Sequence, residues 1–253
     1  MVFKPPLGEE NINKYGTLMK VIEYNSKNDI LVEFQDNHKH VVHTNIQRFR
    51  QGRVSNPFDK TVYGKGYLGV GEYQGSIGGI QTPQYKEWRG MLTRCYSNEY
   101  HKSYPTYINA QVCEEWLNFQ NFAKWYEDNY YEVDNQTMHL DKDIINKGNK
   151  LYCPDKCVFV PHELNLLFTK NDSKRGQCLI GVYYDKSRHK FKSACRRYGK
   201  KVGLGSFDSE EEAFYAYKEF KEETIQLMAE EYKDKIPMKL YNGLMSYKVE
   251  KED

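Results

Sequence analysis

The side chains in this sequence whose types and spacing could do chemistry lie between His139 and Asn165, in HLDKDIINKGNKLYCPDKCVFVPHELN. A histidine can take a proton from water near neutral pH. An Asn in the Lys147-Gly148-Asn149 turn can hold a loop through its own backbone. Asp141 and Asn165 offer oxygen ligands to a hard divalent cation. A base, a turn-holding amide and metal ligands reaching onto a following helix would suit phosphodiester hydrolysis with one divalent ion. The same residues also suit a turn framework without turnover, with Asp141 bracing Lys142 or the backbone. His162 beside Pro161 offers either a spare ligand or a surface residue, and the surface reading is favoured.

Those groups need a strand around His139 and a helix after Pro161 to carry Asn165. Upstream, Thr82-Pro83 opens a helix, with Thr as N-cap and Pro at the first helical position. Tyr85, Trp88, Met91, Leu92 and Cys95 follow at helical spacing. A second helix is predicted over Gln111–Tyr131, burying Val112, Trp116, Phe119, Phe122, Ala123 and Tyr126. The glycines between Gly64 and Gly79 predict a flexible loop approaching the site or a DNA backbone. No Gly-Lys-Ser/Thr follows GKGYLGVGEY, so a nucleotide-phosphate loop is poorly matched.

Before residue 58, Gly16–Tyr24, Ile30–Phe34 and Lys39–Thr44 read as short strands of a small β-barrel-like sheet. His38, His40 and His43 lie in or beside the last strand, with Val41 and Val42 between them. Arg48, Arg50 and Arg53 surround Phe49 in QRFRQGR, which suits either phosphate contacts or a solvated turn closing the barrel.

The cationic signal is densest near the C-terminus. From Lys174 to Gly205 ten basic residues face one acid, Asp185, in a chain whose formal net charge is only +2. Gly181-Val-Tyr-Tyr, Lys190–Tyr198 and Lys200–Phe207 read as three strands, with a hairpin turn at Tyr198-Gly199. Alternation puts Phe191, Ser193 and Cys195 on one face and Lys190, Lys192, Ala194 and Arg196 on the other. Asp208-Ser209 then caps a helix with Glu210, Glu211 and Glu212 in its first turn, where the helix dipole favours them. The tail after Gln226 extends that helix and packs back on the module.

Six cysteines form no CxxC pair, which predicts reduced thiols rather than a structural zinc. The excess of Tyr, 22 against 12 Phe and 3 Trp, suits thin cores and wet interfaces alike. Without an apolar run long enough to span a bilayer or form a signal core, a soluble cytoplasmic protein is expected.

The stretch from His139 to Asn165 resembles the HNH endonucleases, especially their homing and phage-borne branch. That resemblance implies a ββα-metal hairpin with His139 as general base, Asn149 as the orienting Asn, Asn165 as a metal ligand and Mg²⁺ or Mn²⁺ as cofactor. Met138 stands where a metal ligand usually precedes the base, and Cys157 where Asn is common; Asp141 could supply a ligand by a shifted register. The run GVYYDKSRHKFKSACRRYGKKVGLGSFDSEEEAFYAY resembles the Apetala-type (ethylene-response-factor) DNA-binding domain, in which a three-stranded sheet backed by a helix enters the major groove. It implies Arg188, Lys190, Lys192, Arg196 and Lys201 as groove-facing residues, with Gly203 where that family commonly has Trp. Arg197, Lys200, Arg48, Arg50 and Arg53 complete the expected DNA-binding set.

Together these readings predict an α+β chain of three modules: 1–58, 59–172 with the HNH-like centre, and 173–253 with the Apetala-type sheet. The partner expected is double-stranded DNA, not a membrane. The activity expected is that of a phage homing-type endonuclease, or else of a DNA-binding regulator or architectural protein built on a degenerate nuclease centre. In the former case the location would be the host cell cytoplasm.

Overall fold

Alternating apolar residues build the first sheet in the computed structural model of the chain, which describes residues 5–169 and 178–253. Strands β1 (Glu10–Ile12), β2 (Leu18–Ser26), β3 (Asp29–Phe34) and β4 (Val41–Thr44) pair antiparallel in that order. Met19, Val21, Ile30, Val32 and Phe34 point inward against Phe49 of helix α1 (Ile46–Arg50). The expected barrel-like sheet is instead open, with β1 and β4 as its edges. The short helix supplies the apolar cover that closure would have given.

Hairpin β5 (Ser76–Ile77) and β6 (Ile80–Gln81) leads into α2 (Pro83–Tyr96), where Thr82 Oγ1 accepts the Tyr85 N–H. Trp88, Met91, Leu92 and Cys95 are buried along α2. After α3 (Asn98–Ser103), a 3₁₀ turn and the short strand β7 (Gln111–Val112), the predicted single helix is split into α4 (Glu114–Leu117) and α5 (Phe119–Asn129). Tyr67 causes the break: its N–H donates to the Leu117 carbonyl and its carbonyl accepts the Phe119 N–H, both at 2.9 Å. Asn118, held between them, is extended.

The chain divides into two compact units, Met1–Asp128 and Asn129–Asp253. The His139–Asn165 stretch therefore shares a unit with the C-terminal sheet rather than with α2–α5. In this second unit β8 (Met138–Asp141) pairs antiparallel with β10 (Val158–Pro161), with the short strand β9 (Leu151–Tyr152) between them in sequence, and α6 (His162–Leu166) follows. Strands β11 (Val182–Asp185), β12 (Lys190–Arg197) and β13 (Lys200–Phe207) form a separate antiparallel sheet. Both residues of the two-residue turn between β12 and β13, Tyr198 and Gly199, have positive φ, 50° and 73°, as a type I′ hairpin requires.

One helix serves both parts. Helix α7 (Glu210–Tyr232) begins with a capping box between Ser209 and Glu212. Its first half buries Ala213, Phe214 and Tyr217 with Val182 and Cys195 of the sheet. Its second half buries Ile225, Met228, Ala229 and Tyr232 with Val158, Val160 and Leu164 of the hairpin and α6. Helix α8 (Met238–Ser246) adds Leu240 and Leu244 to that second core, and Val249 returns to the first. Gly181 admits this packing: its φ is +76°, and a Cβ there would lie 2.0 Å from the Tyr217 ring. Ile225→Ala opens a cavity at a fully buried position. It should cost about 2–4 kcal/mol, read as a lower urea midpoint by circular dichroism.

Candidate functional site

Alternation along β8 turns Met138 and Leu140 into the core and leaves His139 and Asp141 on the other face. Met138 is thus a packing residue. His139 Nε2 lies 3.0 Å from His162 Nδ1, with ring centroids 5.2 Å apart. That span fits two imidazoles meeting nitrogen to nitrogen in a hydrogen bond. His162 is exposed, as expected, yet it is the partner of His139.

Asp141 Oδ1 accepts the backbone N–H groups of Asp143 and Ile144 at 2.9 and 2.7 Å. Burial, reinforced by the charge of Asp143, pushes its carboxyl up to about 6. Asn149 Nδ2 donates to the carbonyls of Lys142 and Leu151 at 2.8 and 2.7 Å, and its Oδ1 accepts the Leu151 N–H at 3.2 Å. The turn-holding role is present, but the amide grips Lys142, not His139. Lys142 is itself buried, with Nζ 3.4 Å from Asp143 and 5.7 Å from the Tyr152 ring centroid. Asn165 is half-buried on α6. Cys157 is buried, and burial pushes its thiol up.

Among the described residues no three His, Cys, Asp or Glu side chains gather as metal ligands would. His139 turns its nitrogen to His162, and Asp141 and Asn149 fasten the β8–β9 loop. Asp141 and Asn149 are thus committed to the β8–β9 loop, while His139 and His162 bring two imidazole nitrogens together.

The C-terminal sheet sorts its side chains by face. Val182, Ser193 and Cys195 are buried against α7. The opposite face carries Tyr183 beside Lys192 and Ser206, Asp185 beside Lys190, and Arg196 beside Lys201. Lys192 Nζ lies 2.6 Å from Asp185, and that bond, with one from Ser187, holds the Asp185 carboxyl well below the usual range. Lys190 pairs with Asp208. Arg196 Nη1 donates to the Gly199 carbonyl at 2.8 Å. Lys201 Nζ stands 5.5 Å from the Tyr183 ring centroid. Arg188 and Lys200 are exposed.

Arg197 is different. By strand parity it shares the helix side with Phe191, Ser193 and Cys195. Its Nη2 lies 2.5 Å from Glu223, its Nε donates to Thr224 Oγ1 at 2.9 Å, and its guanidinium sits 4.0 Å from the Phe220 centroid. It fastens the sheet to α7 instead of facing a groove. Lys174 and Arg175 lie outside the described residues.

In the first unit Phe49 is fully buried, so it does not interleave with the arginines at an interface. Arg50 is held by both oxygens of Glu9, at 3.0 and 2.9 Å. Arg48 and Arg53 are exposed, and Arg48 borders a cavity of about 340 Å³ with Asp29, His43 and Asn45. His43 Nδ1 lies 3.0 Å from Asp29, and His38 stacks on Phe58 with centroids 3.7 Å apart.

The glycine-rich loop is pinned rather than free. Gln120 Nε2 donates to the Leu68 and Tyr73 carbonyls, and its Oε1 accepts the Tyr73 N–H. A Cβ at Gly69 or Gly71 would lie 2.2 or 2.3 Å from the side chains of Asn118 or Gln120. These glycines serve close packing on α4 and α5. The loop lines a cavity of about 660 Å³ with Tyr73, Tyr85, Gln81 and Gln120. All six cysteines are free thiols, and no helix among the described residues is long and apolar enough to cross a membrane.

No family model, curated protein or solved structure matches this chain. Two residues that the sequence reading passed over, Tyr183 and His162 as the partner of His139, emerge from strand parity and from proximity in space respectively.

Asp141 has a checkable pH signature. Its folded pKa is raised, so its stabilising contribution is complete below the unfolded value and is lost as pH rises through about 6. Asp141→Asn keeps an oxygen for both backbone donors. The variant should match the parent near about pH 4 and gain on the order of 3 kcal/mol near about pH 8, measured by urea unfolding at both.

Proposed function

We propose that this protein binds double-stranded DNA through the open face of β11–β13, while the His139–Asn165 stretch serves as a structural brace for that module. The observation carrying this reading is the sorting of β12. Ser193 and Cys195 are buried under α7, whereas Lys190, Lys192 and Arg196 stand on the opposite side. A chain with formal net charge +2 concentrates its cations there. Lys and Arg side chains at such a face neutralise phosphates and release counterions, and a narrow β-ribbon fits the major groove. The resemblance to the Apetala-type domain implies the same face. The nuclease half of the reading has less support, because His139, Asp141 and Asn149 are engaged with the fold's own groups.

Duplex affinity should fall linearly on a log–log plot against salt. Arg196→Ala and Lys201→Ala should each weaken binding to all sequences and reduce that slope by about 1. Arg197→Ala should lower stability with the slope unchanged. Affinity indifferent to salt and to both substitutions would remove the groove-face assignment.

The brace reading is tested by incubating DNA with wild type and His139→Ala in Mg²⁺, Mn²⁺ or chelator. The expected result is binding by both proteins and cleavage by neither. Metal-dependent nicking by wild type that His139→Ala abolishes would establish the endonuclease instead.

A further inference from the structure

Resting on the DNA-binding reading, we propose that Tyr183 makes the open sheet face selective for a 5-methylpyrimidine at one position of the duplex: thymine in unmodified DNA, or 5-methylcytosine where cytosine is methylated. The residues sharing that face by register are Tyr183, Asp185, Lys190, Lys192, Arg196 and Lys201, with the small Ala194, Gly203 and Ser206 between them. All six larger ones but Tyr183 are charged. Tyr183 is 44% exposed and is the large apolar side chain on this face. A Cβ built at Gly203 would meet nothing within 4 Å, so no neighbouring side chain roofs this part of the sheet.

Cations on phosphates fix register and orientation but carry no base information. Base edges in the major groove present hydrogen-bond donors and acceptors, with one apolar exception: the C5-methyl of thymine, which 5-methylcytosine shares. An exposed aromatic ring surrounded by cations is matched to that group. The cations bring the sheet into the groove, and the ring gains only where a methyl meets it. Lys201, whose Nζ stands 5.5 Å from the ring centroid, ties the phosphate contact and the methyl contact to one spot on the sheet.

The experiment uses the full chain. Duplexes are first selected from a random pool, and each thymine of the preferred site is then replaced by deoxyuridine, which removes only the methyl. One replacement should weaken binding roughly fourfold, the worth of one buried methyl. Cytosine at that position should bind more tightly when it carries a 5-methyl group. Tyr183→Phe should keep the thymine–uracil difference, and Tyr183→Ala should erase it with the salt slope unchanged. Salt-dependent binding that Lys201→Ala weakens but that ignores every deoxyuridine, or that selects no preferred site, would overturn this inference and leave the DNA-binding reading standing. No duplex binding at all would overturn both.

Discussion

The second unit depends on the unbroken apolar stripe of α7. Residues 213 to 217 of that stripe belong to the core under the sheet, and residues 225 to 232 to the core under the β8–β10 hairpin. A helix of 23 residues is about 34 Å long, and its two halves cannot tilt separately without exposing Ile225 or Phe214. Tyr247 packs on both cores from the returning tail. Sheet and hairpin are therefore packed on one helix, which is the physical content of proposing the hairpin as a brace. Arg197 belongs to the same construction, since it joins β12 to α7 through Glu223, Thr224 and Phe220 at once.

Charge on the sheet is graded from one end to the other. Near β11, Lys190 and Lys192 already have carboxylate partners in Asp208 and Asp185. At the other end Arg196 donates to the Gly199 carbonyl and Lys201 stands over the Tyr183 ring. Lys190–Asp208 is an exposed pair and contributes at most about 1 kcal/mol, whereas Lys192 and Asp185 are both partly buried and hold each other more firmly. In the proposed DNA-binding reading, the salt dependence therefore rests chiefly on Arg196 and Lys201.

How much of this was legible in the sequence varies with the range of the interaction that decides it. Local periodicity was sufficient for β12, for the Tyr198-Gly199 turn and for the Ser209 cap, since each is set by neighbours a few residues away. The same parity assigns Arg197 to the helix side, but its charge drew it into the expected DNA-binding set. The single helix over 111–131 fails at Asn118 because Tyr67, far away in sequence, takes both flanking backbone groups. Barrel closure failed likewise: strand patterns specify faces, while edge pairing depends on what else can cover the core. For Asn149, turn chemistry predicts that the amide holds a loop, but spacing alone does not distinguish Lys142 from His139 as the backbone it holds.

That last difference bears on what the central stretch is for. An ionised carboxylate buried as Asp141 is can be made tolerable by a cation or by backbone donors. Here two N–H groups meet one of its oxygens, and Asn149 draws the following loop together through Lys142 and Leu151. Even so, the carboxyl remains pushed up to about 6, so the donors compensate its burial only in part. These bonds shape the loop, with Ile144 thereby delivered to the core shared with α7. Polar groups whose order along the chain suggests hydrolysis also fasten, in three dimensions, the turn that carries Ile144 into the core shared with α7.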